Sequence, residues 1–235
     1  MSLPFTLDVE RVYQSFQDKD VLKGITFSRS HPGVTMLLGE NGVGKSVLLR
    51  AIAGISLPQY GQIALRVGVH QYNTALDTQA RTYIGYQSEY LAYWPDYTVW
   101  EMLQFALAVK KPQEETHAQK IIEQFRLQEV VNVPLRRLSF GYQRRLSVAI
   151  SMIGNPKILL LDEPTNGLDP AETEFFLEHI QKTAQTSCII LASHRLEEAH
   201  TLQAEVLLLK QGQLCYDGPC PNQLKEWYHE QHMDS

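Results

Sequence analysis

The sequence predicts an α/β fold: a mostly parallel sheet covered by helices and interrupted by an all-helical insertion. Three observations carry this prediction. Apolar strand-like runs alternate with helical patterns at both ends of the chain, which is typical of parallel sheets. A glycine-rich turn joins one such run to a helix at residues 39–44. Helical patterns alone fill roughly residues 88–150, so we expect a core of residues 1–87 and 151–235 around a helical subdomain.

The first part of the chain is rich in predicted strands. Alternating apolar and polar residues from Phe5 onward predict a half-buried strand that ends near Tyr13. Three further strands are predicted, at residues 21–28, 33–38 and 63–69. A helix is predicted at 43–53, ended by Gly54, and the irregular polar stretch 67–81 predicts a loop.

The remaining elements follow from the same patterns. Three helices are predicted in the insertion, at 99–109, 114–125 and 140–153. Beyond it we expect a strand at 157–161, a helix at 171–184, a strand at 187–193, a short helix at 196–202, a hairpin over 204–216 and a helix from about 221.

Composition excludes several classes of protein. The chain has 235 residues, 44% hydrophobic and 20% charged, which is ordinary for a globular protein. Its net charge of −5 weighs against a general nucleic-acid binder. No apolar run approaches the roughly 20 residues of a membrane span, and the first residues do not form a secretory signal. The odd set of three cysteines predicts a reduced, cytosolic protein, with Cys188 in the core and Cys215 and Cys220 flanking a turn.

A phosphate-binding motif lies in the glycine-rich turn. Residues 39–46 read Gly-Glu-Asn-Gly-Val-Gly-Lys-Ser and fit G-x-x-x-x-G-K-[S/T] fully, after a strand and before a helix. Glycines let the backbone curl around a phosphate, and the helix that follows offers free N–H groups. Lys45 supplies a mobile charge and Ser46 a hydroxyl for Mg²⁺. The alternative is a chance glycine-rich turn, and the motif alone also fits kinases, motors and GTPases.

Two carboxylates end the apolar strand near residue 160. Asp162 is placed to orient the shell of a Mg²⁺ ion, and Glu163 to polarise an attacking water as general base. The alternative is that the acidic pair caps the next helix. Asp169 follows in Asn-Gly-Leu-Asp-Pro and is either a functional residue or the ordinary N-cap of the next helix. His194 ends a later strand.

The order of these motifs resembles the nucleotide-binding subunit of an ATP-binding-cassette (ABC) transporter over about residues 3–218. That family's hallmark Leu-Ser-Gly-Gly-Gln reads here as Leu-Ser-Phe-Gly-Tyr-Gln at 138–143, so Ser139 and Gly141 match while Phe140 and Tyr142 depart. The resemblance implies a P-loop NTPase core with a mixed, mostly parallel sheet, an N-terminal antiparallel β subdomain and an inserted all-helical subdomain at 88–150.

The resemblance also implies roles for individual residues. ATP is expected to contact Tyr13, Gly39, Glu40, Asn41, Gly42, Val43, Gly44, Lys45, Ser46 and Val47. Tyr13 would stack on adenine, with a plain sheet-edge tyrosine as the alternative, and Val47 replaces a usual threonine. Mg²⁺ is expected at Ser46, Gln87 and Asp162, and catalysis at Glu163, His194 and Gln87. Ser139, Gly141 and Asp169 would reach the nucleotide of a second subunit.

Two further clusters have open interpretations. The aromatic run of Tyr90, Tyr93, Trp94, Tyr97 and Trp100 is either core of the insertion or a groove for a short helix of a membrane subunit. The four arginines at 136, 137, 144 and 145 form either a solvated face or a set of nucleotide or partner contacts.

The function implied is an ATPase subunit that dimerises on ATP and drives a separately encoded permease at the inner face of the cell membrane. Tyr142 favours an exporter-type system. One alternative is a soluble ABC ATPase of the iron–sulfur assembly type. A regulatory module without activity is disfavoured, because Lys45, Asp162, Glu163 and His194 are all present.

Overall fold

The computed structural model describes residues 4–17, 19–88, 94–110 and 118–233. Its strands are β1 (Phe5–Phe16), β2 (Lys19–Arg29), β3 (Gly33–Leu38), β4 (Tyr60–Val67), β5 (His70–Asn73), β6 (Ile84–Gln87), β7 (Ile158–Asp162), β8 (Cys188–Ala192), β9 (Glu205–Lys210) and β10 (Gln213–Pro219). Its α-helices are α1 (Lys45–Ile52), α2 (Val99–Lys110), α3 (Ala118–Gln124), α4 (Phe140–Ser151), α5 (Pro170–Thr183), α6 (Glu197–Thr201) and α7 (Leu224–Met233).

The strands form two sheets. An antiparallel sheet of four strands has the order β2-β1-β4-β5. A sheet of six strands has the order β10-β9-β3-β8-β7-β6, in which every pair is parallel except β9 with β10. The predicted α/β class, with a mixed and mostly parallel sheet and an N-terminal antiparallel sheet, is confirmed.

Buried residues of β3 alternate between two hydrophobic layers. Leu37 joins the layer that contains α1 and the antiparallel sheet, whereas Met36 and Leu38 join the layer that contains α5, α6 and α7. Both faces of the six-stranded sheet are therefore covered, which explains why its central strands read as continuous apolar runs. Because β3, β7 and β8 are parallel neighbours, the loops that follow them open at the same edge of the sheet.

A third hydrophobic cluster lies in the insertion. It joins residues of α2, α3 and α4 around Phe125, and Phe175 and Phe176 of α5 complete it. Phe125 and Phe175 meet edge to face, with ring centroids 6.4 Å apart. The helices of the insertion thus pack on one another and on the core, while the division at residues 88 and 150 stays a prediction. Of the helix predicted at 114–125, residues 114–117 lie outside the described part.

The predicted loop at 67–81 is wrong. Its residues 70–73 form β5, which pairs with β4, and residues 78–82 form a turn of 3₁₀-helix. Between them the carboxylate of Asp77 accepts a hydrogen bond from the backbone N–H of Asn73 at 2.6 Å. Cross-strand hydrogen bonds hold this segment, and an edge strand of that kind needs no apolar alternation. Cys188 is buried in β8 as predicted, but Cys215 lies within β10 and not beside a turn.

Candidate functional site

The glycine-rich loop lies between the end of β3 and the start of α1. Glycine is required at Gly39, where φ is 150° and a Cβ atom would lie 2.5 Å from the carbonyl oxygen of Leu209. The loop curls around the buried ammonium of Lys45, which donates to the carbonyl oxygens of Gly39 at 2.7 Å and of Glu40 at 3.1 Å. A lysine placed in this way can exchange those carbonyl oxygens for phosphate oxygens.

An open cleft of about 380 Å³ lies over this loop. It is lined by Asn41, Gly42, Gly44, Lys45, Ser46, Val47, Arg50, Asp162, Glu163, Asn166 and His194. The structure therefore brings together most of the predicted loop residues with both carboxylates and the histidine. Gly39, Glu40 and Val43 belong to the same loop but not to the lining.

Ser46 and Asp162 meet on one side of the cleft. The hydroxyl of Ser46 donates to Asp162 Oδ1 at 3.1 Å. Hydroxyl and carboxylate oxygens are ligands that Mg²⁺ prefers, so this pair fits the ion that a bound triphosphate would bring. Burial raises the pKa of the neighbouring Tyr86 to about 12, and the charge of Asp162 is the second cause.

Gln87 lies behind Asp162, outside the lining of the cleft. It ends β6, is almost fully buried, and its Oε1 accepts a hydrogen bond from the backbone N–H of Asp162 at 3.2 Å. Its side-chain amide donates to the carbonyl oxygen of Ser88. In this arrangement Gln87 supports the strand end that carries Asp162.

Glu163 and His194 face each other across the ends of β7 and β8. His194 Nδ1 lies 2.8 Å from Glu163 Oε2, with the glutamate side chain 11% exposed and the histidine 50% exposed. The backbone of Glu163 is in the left-handed region, with φ of 50°, a strain of about 1–3 kcal/mol that tends to occur at functional sites. Its N–H donates to the carbonyl oxygen of Ala192 at 2.9 Å, which ties the turn to β8. The carboxylate is thereby aimed into the cleft next to the histidine.

The family hallmark at residues 138–143 lies at the start of α4. Ser139 is the N-cap residue, and its hydroxyl accepts from the N–H of Tyr142 at 3.4 Å. A Cβ atom on Gly141 would meet nothing within 4 Å, so the backbone there faces open space. Phe140 is 51% exposed, and its ring lies against Gly167: a Cβ atom built on Gly167 would lie 3.2 Å from the ring. Neither Ser139 nor Gly141 lines the cleft of its own chain.

Asp169 and Tyr13 do not line that cleft either. Asp169 caps α5, since its carboxylate accepts from the N–H of Glu172 at 2.9 Å. Tyr13 is 44% exposed on β1, and its ring covers Gly24 of β2, so that a Cβ atom there would lie 2.8 Å from the phenol oxygen. The N-cap alternative for Asp169 is confirmed, and the predicted contacts of both residues with nucleotide stay predictions.

Of the two interpretations of the arginine cluster, the solvated face does not hold for two of its four members. Arg144 is only 5% exposed and lies over the ring of Phe140, 5.1 Å from its centroid. Arg145 donates to both carboxylate oxygens of Glu172, which raises the pKa of the guanidinium. Arg136, by contrast, is exposed and pairs with Asp96. Phe140 lies four residues before Arg144 on the same helix, whereas Glu172 reaches Arg145 from α5, a contact that no local pattern indicates.

Two residues of the cleft were not among the predicted site residues. Arg50 lies one helical turn after Ser46 and donates to its carbonyl oxygen at 3.2 Å. Asn166 follows the acidic pair by three residues. The spacing of four between Ser46 and Arg50 is a usable signal, because residues four apart share one face of a helix.

Exposed aromatic side chains mark the start of the insertion. The ring of Trp94 stacks on that of Tyr97, with ring centroids 5.3 Å apart, and packs edge to face with that of Phe105, with centroids 4.9 Å apart. Trp94, Tyr97 and Phe105, here called the aromatic patch, are 50%, 38% and 41% exposed. They are not core residues, and Trp100 is exposed as well. Tyr90 and Tyr93 lie outside the described residues.

Comparisons with known proteins agree on one family. The model of the ABC transporter family matches residues 22–166. An uncharacterised ABC transporter ATP-binding protein of Bacillus subtilis is 29% identical over 88% of this chain and 67% of its own length. Nod factor export ATP-binding protein I of Ralstonia nicotianae is 32% identical over 90% of this chain and 66% of its own length. The chain thus spans about two thirds of these bacterial relatives, and it spans 12% of the human ATP-binding cassette sub-family A member 6.

Solved structures show the same fold. An ATP-binding subunit of an ABC transporter matches with a TM-score of 0.82 over 97% of this chain and 98% of that one, at 23% identity. The dimeric structure of a bacterial ABC transporter cassette matches with a TM-score of 0.78 over 92% of this chain and 99% of that one, at 20% identity. No helix in the described part of the chain combines the length and apolar character needed to cross a bilayer.

Proposed function

Since the chain belongs to the ABC transporter family, whose ATP-binding domains are ATPases, we propose that it hydrolyses MgATP to power a separately encoded membrane permease. One observation carries the proposal: a single cleft holds Lys45, the Ser46–Asp162 pair and the Glu163–His194 pair. Phosphoryl transfer to water needs a cation on the phosphates, ligands for Mg²⁺ and a group that orients the attacking water, and these residues can supply all three.

The triphosphate would bind over the glycine-rich loop. Backbone N–H groups of the loop and of the start of α1 donate to its oxygens, and Lys45 turns from the carbonyl oxygens of Gly39 and Glu40 toward the phosphates. Ser46 and Asp162 would hold Mg²⁺, which neutralises phosphate charge when bound, with Gln87 supporting Asp162 from behind.

Glu163 would act as the general base. It accepts a proton from the attacking water as the water oxygen bonds to the γ-phosphorus and the bond to the β-phosphate oxygen breaks, which yields ADP and phosphate. The hydrogen bond from His194 fixes the orientation of the carboxylate, and the exposed face of the imidazole is free to contact the γ-phosphate. A positioned general base raises the rate by a factor of about 10²–10⁴.

The active unit would be a dimer. Ser139, Gly141 and Asp169 do not line the cleft of their own chain, and the backbone at Gly141 faces open space. In a head-to-tail pair, the N-terminus of α4 in one subunit would contact the nucleotide bound by the other subunit. Its backbone N–H groups would donate to the phosphates of that nucleotide. ATP then drives closure because it binds the closed pair better than the open one.

The aromatic patch would receive the permease. Exposed tryptophan and tyrosine side chains are enriched at protein interfaces, and Trp94 and Phe105 lie on the inserted subdomain that closure would move. The chain would therefore work at the inner face of the cell membrane. Export is the direction we propose, because of Tyr142 and the relatives named as Nod factor export ATP-binding proteins.

The ATPase step is tested with Glu163→Gln. We expect this variant to bind MgATP with unchanged affinity, to release phosphate at least about 100-fold more slowly, and to elute as a dimer in gel filtration with ATP. Glu226→Gln, on the exposed face of α7, is the matched control and should behave as wild type. Phosphate release by Glu163→Gln at the wild-type rate would contradict the proposal, and an ATP-bound monomer would contradict the shared site.

The transport role is tested by purifying the tagged chain from detergent-solubilised membranes of its own organism. We expect a polytopic membrane protein to copurify, and to be lost when Trp94 and Phe105 are both replaced by alanine while ATP binding is unchanged. Leu76→Ala, at a residue that is 69% exposed elsewhere, should retain it. Copurification of soluble assembly factors alone would contradict transport.

A further inference from the structure

Glu198 carries a buried carboxylate that does not line the cleft. Glu198 belongs to α6, four residues after His194, and is 2% exposed. Its two oxygens bind two different loops: Oε1 accepts from the hydroxyl of Thr165 at 2.6 Å, and Oε2 accepts from the hydroxyl of Ser193 at 3.0 Å. One side chain therefore bridges the segments that follow β7 and β8.

Those two segments carry the reacting groups of the proposed mechanism. Thr165 follows Glu163 by two residues and precedes Asn166, while Ser193 directly precedes His194. Both hydroxyl-bearing residues are fully buried. A shift of either loop relative to the other would change the 2.8 Å contact between Glu163 and His194.

Arg195 completes the bridge and compensates its charge. Its Nη1 lies 3.5 Å from Glu198 Oε1 and donates to the hydroxyl of Thr173 at 3.1 Å. Its backbone N–H donates to the hydroxyl of Ser193 at 3.1 Å. A carboxylate buried at this depth is costly unless every oxygen is bonded, and here each oxygen has a donor. An apolar residue would fill the space but would link neither loop.

We propose that Glu198 is a positioning residue of the ATPase reaction, which holds the Thr165 loop and the Ser193 turn in the one relation that aligns Glu163 with His194. The inference rests on the roles proposed for those two residues. Glu198 itself touches neither nucleotide nor water in this scheme. Its loss should therefore lower kcat while ATP binding is kept.

The test compares Glu198→Ala and Glu198→Gln with Glu197→Ala, a change on the exposed face of the same helix. We measure kcat and KM for MgATP, the affinity for a nonhydrolysable ATP analogue, and the melting temperature. Glu198→Ala should lower kcat about 10- to 100-fold, with KM and analogue affinity within about threefold of wild type. Glu198→Gln should restore most of kcat, because the amide oxygen still accepts from one hydroxyl and the amide nitrogen donates to the other.

The hydroxyl partners provide a second test, which stands even where Glu198→Ala does not fold. Thr165→Val should lower kcat without changing KM, whereas Thr165→Ser should not. Combining Thr165→Val with Glu198→Ala should cost no more than Glu198→Ala alone, since both remove the same bridge. Wild-type kcat in Thr165→Val, or an equal loss of kcat and analogue affinity in a folded Glu198→Ala, would overturn the proposal. Failure of the proposed function gives a different result, because Glu163→Gln would then retain turnover.

Discussion

The imidazole of His194 lies 2.8 Å from the carboxylate of Glu163, at the ends of two neighbouring parallel strands. The pair forms because Asp162 and Ala192 are in register, which puts the residues that follow them side by side. The left-handed backbone at Glu163 then turns its side chain toward the histidine. Two side chains 31 positions apart thus form one unit, and their contributions to turnover should not be independent.

Replacing His194 by alanine should lower kcat about 100-fold, because the carboxylate of Glu163 loses the donor that orients it. The double variant Glu163→Gln with His194→Ala should be no slower than Glu163→Gln alone. Phosphate release at saturating MgATP measures both. His200→Ala, at an exposed histidine of α6, is the control. Multiplicative losses in the double variant would show that the two residues act separately.

Two glycines of the phosphate loop should differ in what alanine costs. Gly42 has φ of 77° but open space around its Cα, so Gly42→Ala should lower the free energy of unfolding by about 1–2 kcal/mol from backbone strain alone. Gly39→Ala should cost more, since its Cβ would overlap the carbonyl oxygen of Leu209 as well. Urea unfolding of the two variants provides the comparison. Equal losses would mean that the loop can move away from β9 without cost.

The parts of the site that the sequence predicts are those set by local pattern. Apolar runs indicate β3 and β7; Lys45 belongs to the glycine-rich motif between β3 and α1, and Asp162 is the last residue of β7. The pairing of Arg145 with Glu172 is not predicted, because the two residues lie on α4 and α5 and meet only once those helices pack together. The bridge at Glu198 is not predicted either, since nothing in its local sequence distinguishes it from the exposed Glu197. Contacts between distant elements decide both cases.

The three cysteines should differ sharply in reactivity. Burial raises the pKa of the Cys188 thiol to about 12, so at mildly alkaline pH it stays protonated and out of reach of an alkylating reagent. Cys215 is exposed in β10 and should be labelled first. Mass spectrometry after timed iodoacetamide treatment measures the order, with the urea-unfolded chain as the control in which all three react. Labelling of Cys188 as fast as Cys215 in the native protein would contradict its place in the core.

The stability of the fold should depend on pH through Glu198. Burial raises the pKa of Glu198 above its ordinary value of 4.5, opposed by the hydroxyls of Thr165 and Ser193 and by Arg195, with Glu197 adding to the rise. The folded chain therefore holds this proton at pH values where the unfolded chain has lost it, so this group's contribution to stability falls as pH rises from about 4.5 through the folded pKa. Glu198→Gln removes that dependence.

The melting temperature of Glu198→Gln relative to wild type should consequently be higher at about pH 8 than at about pH 5. Glu197→Gln controls for the loss of one negative charge from the same helix. A difference that moves the other way would mean that the hydrogen bonds and Arg195 outweigh burial, and that the folded protein prefers Glu198 ionised. That result would leave the bridge between the two loops in place but make its charge a stabilising part of it.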